Sequence, residues 1–172
     1  MHALGTQAVS EHPMANPGPI EGVSQTAVSK SITIETRYGT YEVDRDKTVT
    51  LPKGLIGFSE LQEFALLNLP HDGADRFKLL QSVEEPGIGL YVLPVGLEDS
   101  GFDRSHIEDA AGTYDIALED LAILLIVTAR KNGEKVDLTA NLLAPVLVDT
   151  EHRVAFQHVM TDDRYPMQHK LN

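Results

Sequence analysis

The chain has no cysteine, which removes two structural options at once. Neither a disulfide framework nor a thiolate metal site can form, so nothing argues for an oxidising compartment and a reducing cytosol fits best. Long apolar runs are missing too. The longest, Leu121 to Val127, falls far short of the roughly 20 residues that carry a helix across a bilayer, so a soluble protein with no membrane partner is expected. Residues 1–28 hold no Lys or Arg and are broken by Pro13, Pro17 and Pro19, which does not fit the basic and continuous apolar regions of a secretion signal. Basic side chains are in deficit, 14 against 26 acidic, for a net charge of -12 at pH 7. That sign repels phosphate backbones and removes the term that drives most nucleic-acid binding, so no direct RNA or DNA contact is expected. The same charge speeds encounter with a basic protein surface, and it also keeps a protein soluble whatever its partners are.

What is present is enough for one core: 172 residues, 42% of them hydrophobic, make a single domain the expectation. Residues 1–28 combine Pro, Gly, Ser, Asn and Thr without periodicity and are expected to form a flexible N-terminal tail, leaving 29–172 as the domain. Alternation begins at Lys30. Ile32 and Ile34 alternate with Thr33 and Glu35, Tyr38-Gly39 turns the chain, and Tyr41 and Val43 alternate with Glu42 and Asp44, which predicts an antiparallel hairpin. A third strand is expected over Thr48 to Leu51, ended by Pro52-Lys53-Gly54 because proline offers no ladder donor and glycine permits positive φ. Ser59 with Gln62 forms a capping-box pattern that predicts one short helical turn. Strands follow over Phe64 to Leu69, Phe77 to Val83 and Ile88 to Val95, bounded by Pro70-His71-Asp72-Gly73, Glu85-Pro86-Gly87 and Pro94-Val95-Gly96. Glu98 to Asp120 reads as loop with short helical turns near His106 to Ala111 and Leu118 to Leu121. The remaining strands fall at Ala122 to Arg130, Val136 to Leu143, Val146 to Asp149 and Val154 to Met160, with Lys131-Asn132-Gly133-Glu134 as a hairpin turn. About ten short strands and no long amphipathic helix predict an all-β fold, a compact β-barrel-like domain of short antiparallel strands with one or two helical turns.

Catalytic patterns are not found. Of the histidines, His2 and His12 lie in the tail, His152 and His158 are separated by a turn and a strand, and His169 sits near the terminus, without an HExxH helix or a compact carboxylate cluster. Ser59, Ser82, Ser100 and Ser105 lack a glycine elbow. Gly87-Ile88-Gly89 precedes a strand rather than a helix and reads as a turn. Glu84-Glu85 and Asp162-Asp163 are neighbours whose side chains diverge on a strand or are solvated in a turn. No enzyme activity, cofactor or metal is expected, although a hydrolase with widely scattered residues stands as one rival reading. Another is a small-ligand barrel in which Phe58, Phe64, Phe77, Tyr91 and Phe156 line a cavity beyond roughly 300 Å³.

Four motifs change what can be expected. Leu51-Pro52-Lys53-Gly54-Leu55-Ile56-Gly57-Phe58, Phe77-Lys78-Leu79-Leu80-Gln81-Ser82-Val83-Glu84-Glu85-Pro86, Leu138-Thr139-Ala140-Asn141-Leu142-Leu143-Ala144-Pro145 and Tyr165-Pro166-Met167-Gln168-His169-Lys170-Leu171 occur in this order. In order and spacing the chain, over roughly residues 31 to 171, resembles the FliW family of flagellar assembly factors. The resemblance implies a cytoplasmic, non-enzymatic binding module, expected to be a monomer, that holds flagellin and antagonises the RNA-binding translational regulator CsrA. Free protein would sequester the regulator and permit flagellin translation, and accumulating flagellin would release it. A dedicated flagellin chaperone is the narrower alternative. Candidate partner-binding residues are Gln81, Ser82, Glu84, Glu85, Asn141 and His169, because a polar, acidic stretch between apolar strands presents a shaped edge. Pro52, Gly54, Gly57, Phe58, Pro86, Pro145 and Tyr165 are expected to shape the fold, and Asn141 has the competing role of capping backbone groups. Two departures from the family pattern are Gln168, where an arginine often precedes the histidine, and the long N-terminal tail.

Overall fold

The computed structural model describes residues 30–70 and 75–171. The proposed tail, with His2 and His12, and most of the Pro70-His71-Asp72-Gly73 turn lie outside the described residues. Eleven strands and one α-helix follow in chain order: β1 (Ser31–Thr36), β2 (Gly39–Asp44), β3 (Thr48–Thr50), β4 (Glu63–Asn68), β5 (Lys78–Ser82), β6 (Gly89–Val95), α1 (Arg104–Gly112), β7 (Leu121–Asn132), β8 (Lys135–Ala140), β9 (Val146–Asp149), β10 (Val154–Gln157) and β11 (His169–Lys170). Strands β1 and β2 form a two-stranded sheet of their own; the second sheet runs β11-β8-β7-β6-β5-β4-β3-β10-β9, and β9 pairs back onto β7. Seven strands, β3 to β7 with β9 and β10, therefore close on themselves as a barrel. All joints are antiparallel except β3 to β10, which meet in parallel through Thr50 and Val154. Beyond the closed part, the second half of β7 continues with β8 and β11 as an arm.

Strand alternation sorts the side chains into three apolar layers. Facing the lumen are Leu51, Phe64, Leu80, Val92, Leu124, Val146, Val148 and Ala155. On the outside of β4 and β5, Ala65, Leu67 and Leu79 receive Ile34 and Val43 from the β1–β2 hairpin. That hairpin is fastened by apolar burial, each Ile or Val contributing about 1.5–3 kcal/mol. On the outside of β7, Ile123, Leu125 and Val127 are covered by Ile107, Ala110 and Ala111 of α1 and by Met160 and Tyr165 of the C-terminal segment.

The expected hairpin, the β4 to β6 meander and the all-β barrel-like class are observed. Elsewhere the structure departs from the sequence pattern. No helical turn forms after Ser59, because Leu51 N–H donates to Gln62 O (2.7 Å) and draws residues 61–62 alongside the end of β3. The β7–β8 turn uses only Gly133 and Glu134, since Lys131 and Asn132 stay paired with Val136 and Lys135. Strand β8 stops at Ala140, not Leu143. Val127 pairs with Ala140 and Leu124 with Val146, so Leu125 and Ile126 of β7 stand opposite the five residues Asn141 to Pro145. Those five bulge out of an otherwise continuous strand.

Candidate functional site

Three of the four motif segments meet at one end of the barrel, and a continuous set of hydrogen bonds joins them. The Pro52–Phe58 loop is tight: Gly54 N–H donates to Leu51 O (2.8 Å) and Phe58 N–H to Leu55 O (2.8 Å). Gly54 and Gly57 adopt φ of 61° and 90° there, the left-handed region that disfavours a side chain. Gln157, at the end of β10, ties this loop to the bulge. Its Oε1 accepts from Ile56 N–H (2.8 Å) and its Nε2 donates to Ala144 O (3.2 Å). On the other flank Glu84 Oε2 accepts from the N–H groups of Gln62 (2.8 Å) and Glu63 (3.2 Å), and Gln62 Nε2 donates to Pro52 O (3.2 Å). The bulge is held from beneath by Met160 N–H to Leu143 O (2.8 Å) and Leu142 N–H to Pro166 O (3.0 Å), which brings in the C-terminal motif.

The structure divides the six candidate residues. Gln81 is 2% exposed and Ser82 0% exposed, so neither reaches the surface. Gln81 Nε2 lies among the carbonyls of Ser82 (3.1 Å), Pro86 (3.1 Å) and Ile88 (2.9 Å), and Ser82 Oγ accepts from Glu85 N–H (3.0 Å). Both shape the β5–β6 turn from inside. Asn141 is half-buried, its Oδ1 accepting from Ala144 N–H (3.0 Å), which is the capping role. Glu84, Glu85 and His169 are exposed. The Glu84 carboxylate is nevertheless tied to the backbone of Gln62 and Glu63, whereas the Glu85 carboxylate makes a local contact with Gly87 N–H (3.2 Å). His169 stands on the arm, paired with Ala140. Gln62, which the sequence marks only as a capping-box residue, and Gln157, which it does not mark at all, both tie motif segments together.

The surface of this end is partly apolar. Ile56 is 64% exposed and Val159 52% exposed, and between them lies a depression of about 260 Å³ backed by Tyr114 and Phe156. Those two rings stack face to face at 4.3 Å. Glu85 lies at the same end, on the β5–β6 turn.

Elsewhere the titratable groups make structural pairs. Tyr165, 5% exposed, has its hydroxyl 2.8 Å from His106 Nδ1 and accepts from Asp103 N–H (3.1 Å), fixing the C-terminal motif to the start of α1. Hydrogen bonds from Arg164 hold the Asp162 carboxyl down to about 2. Burial lowers His158, and a hydrogen bond to Asp149 raises His152. Among the described residues no group of three or more His, Asp or Glu is placed to hold a metal ion. The aromatic residues of the small-ligand reading do not gather round one cavity. Phe64 is buried in the lumen layer and Phe58 packs beside it, while Phe77, Tyr91 and Phe156 lie against the layer outside β7.

Comparison with known proteins agrees over nearly the whole domain. The family model described as FliW protein matches residues 32–171. The flagellar assembly factor FliW of Desulfitobacterium hafniense (strain DSM 10664 / DCB-2) is 32% identical over 138 residues, covering 79% of this chain and 88% of that protein. That of Leptospira biflexa serovar Patoc is 30% identical over 145 residues, covering 82% and 92%. A crystal structure of the flagellar assembly factor FliW superposes with a TM-score of 0.65 at 29% identity, covering 82% of this chain and 97% of that one.

Proposed function

The chain belongs to the FliW family of flagellar assembly factors, and from that premise we propose that it is a cytoplasmic partner switch which holds flagellin and antagonises CsrA. In this reading flagellin level is coupled to flagellin mRNA translation. The observation that supports it best is that the motif-bearing end carries both the exposed Ile56–Val159 depression and, on the β5–β6 turn, the outward carboxylate of Glu85. An apolar segment of flagellin, ordering as it binds, seats its side chains against Ile56 and Val159. The basic regulator is drawn to the acidic turn by a chain whose net charge is -12. Two partners meeting at one end bind in a mutually unfavourable way, and linkage makes the antagonism reciprocal. No covalent chemistry is required.

The test is calorimetry of the purified protein with its cognate flagellin and with CsrA, separately and in competition. Binding of each with heat lost when the other is prebound supports the switch. Flagellin binding alone leaves a dedicated chaperone, and binding to neither removes the reading. Location is tested with Ile56→Asp/Val159→Asp for flagellin and Glu85→Lys for CsrA. Glu84 is avoided, since its carboxylate anchors the loop. Unchanged affinities in folded variants would move the partner sites elsewhere.

A further inference from the structure

The opposite end of the barrel is open, and its mouth has a character that the partner switch does not use. The lumen there is a cavity of about 230 Å³ whose walls are almost wholly apolar. Leu80 and Leu124 lie deep within it, 2% and 4% exposed, whereas Leu66 at the mouth is 42% exposed although it lies on the inward face with Phe64. No element of the described chain caps this opening. At the rim stand Lys47, just before β3, and Arg153, just before β10. Neither makes an ion pair among the described residues, in contrast to Arg104 and Arg164, which pair with carboxylates.

Arg153 is placed there by an unusual backbone. Its φ is 55°, a conformation that ordinarily falls to glycine or asparagine, and its carbonyl accepts from Thr50 N–H (2.9 Å), locking the turn against β3. The turn leaves Arg153 lining the cavity together with Ala155, a lumen residue of β10. The rim also carries Asp149, but its two carboxylate oxygens are taken by His152, Oδ1 accepting the backbone N–H at 2.9 Å and Oδ2 lying 2.8 Å from Nδ1.

We propose that the open mouth of the barrel is a binding site for a short aliphatic monocarboxylate. The hydrocarbon tail enters the lumen against Leu66, Leu80 and Leu124, and the carboxylate stays at the rim between Lys47 and Arg153. Charge complementarity selects an anion over a neutral ligand, and the apolar wall selects a tail over a compact polar anion. At the ~30 Å³ that one water takes up in the liquid, the cavity has room for roughly eight non-hydrogen atoms, the size of hexanoate. This site lies away from the motif-bearing end and does not rest on the flagellin and CsrA reading.

The experiment is a methyl NMR titration of the full chain, labelled at Leu and Val, with hexanoate and separately with hexanol, each to about 20 mM, since so small a ligand binds in the millimolar range. Hexanoate is expected to shift the methyls of Leu66, Leu80, Leu124 and Val148 saturably, with hexanol weaker by about tenfold or more. The Lys47→Gln/Arg153→Gln variant is expected to bring hexanoate down to the level of hexanol while leaving hexanol unchanged. Absence of saturable shifts at those methyls, equal affinity for the two probes, or undiminished hexanoate binding by the folded double variant would each overturn the proposal. The comparison of the two probes uses the unaltered protein and does not depend on the variant folding.

Discussion

Replacing Gln81 by leucine separates a residue that builds the acidic turn from one that touches a partner. The side chain is 2% exposed, and its amide nitrogen is surrounded by the carbonyls of Ser82, Pro86 and Ile88 at 2.9–3.1 Å. Acceptors on every side require the NH2, not the oxygen, to face them. Leucine has nearly the same bulk but no donor, so the buried Ser82 carbonyl and the more exposed Pro86 carbonyl lose a partner, while that of Ile88 keeps the Ser82 N–H. Stranding a buried acceptor costs about 1–3 kcal/mol and a partly solvated one less, which puts Gln81→Leu at roughly 1–4 kcal/mol before a small gain from the added apolar surface. With a urea dependence of about 2 kcal/mol per molar, the unfolding midpoint should fall by about 0.5–2 M. Equilibrium urea denaturation monitored by circular dichroism measures this directly. A variant losing less than about 1 kcal/mol yet failing to bind flagellin or CsrA would refute the reasoning, and would return Gln81 to the interface.

Three further outcomes follow from the geometry. Gly54→Ala should destabilise by at least about 3 kcal/mol, because its Cβ would meet the Phe58 carbonyl and approach Ser59 Cα to 2.7 Å, while Gly57→Ala, with open space around it, should cost only about 1–2 kcal/mol; thermal unfolding compares the pair. Tyr165→Phe removes the acceptor of Asp103 N–H and the partner of His106, and should cost about 1–2 kcal/mol in the same assay without altering the barrel. Asp162 should titrate near pH 2 by carboxyl-carbon NMR and return toward 3.8 in Arg164→Gln. Since its folded value is depressed, its contribution to stability is present above about pH 3.8 and lost as the pH falls through about 2, a loss the variant should show to a smaller extent because the backbone N–H of residue 164 still donates to Asp162.

Local pattern and long-range closure were not equally legible. Ile32, Ile34, Tyr41 and Val43 announced their hairpin because alternation is a property of neighbours, and the β4 to β7 strands were visible for the same reason. The parallel bridge of Thr50 with Val154, which shuts the barrel, left no trace in either strand. The capping-box pattern at Ser59 failed to make a helix because Gln62 is engaged by Leu51 and Glu84, partners distant in the chain. Gln81 looked like a surface residue for a related reason. A polar side chain in an apolar run signals exposure unless carbonyls converge on it, and that convergence is tertiary. Gln157 gave no signal at all, since what it binds is main chain, which every sequence shares. Family resemblance located the segments that matter, and the hydrogen bonds assigned most of their residues to architecture.

The five-against-two bulge at Asn141 to Pro145 also governs which changes of length the protein can tolerate. Before it, even-numbered residues such as Leu138 and Ala140 face the outer layer; after it, even-numbered Val146 and Val148 face the lumen and odd-numbered Leu147 faces out. The odd offset of three exchanges inside for outside in the middle of a run that otherwise follows β7 from end to end. The pairing of Val146 with Leu124 and of Leu147 with Ile123 holds that wall, so loss or gain of one residue must be taken up within the bulge itself. Conservative substitution within the bulge leaves its main-chain bonds in place, but a single-residue indel misplaces the groups that meet Asn141, Gln157, Met160 and Pro166, so insertions and deletions of one are the changes this segment should exclude over evolutionary time.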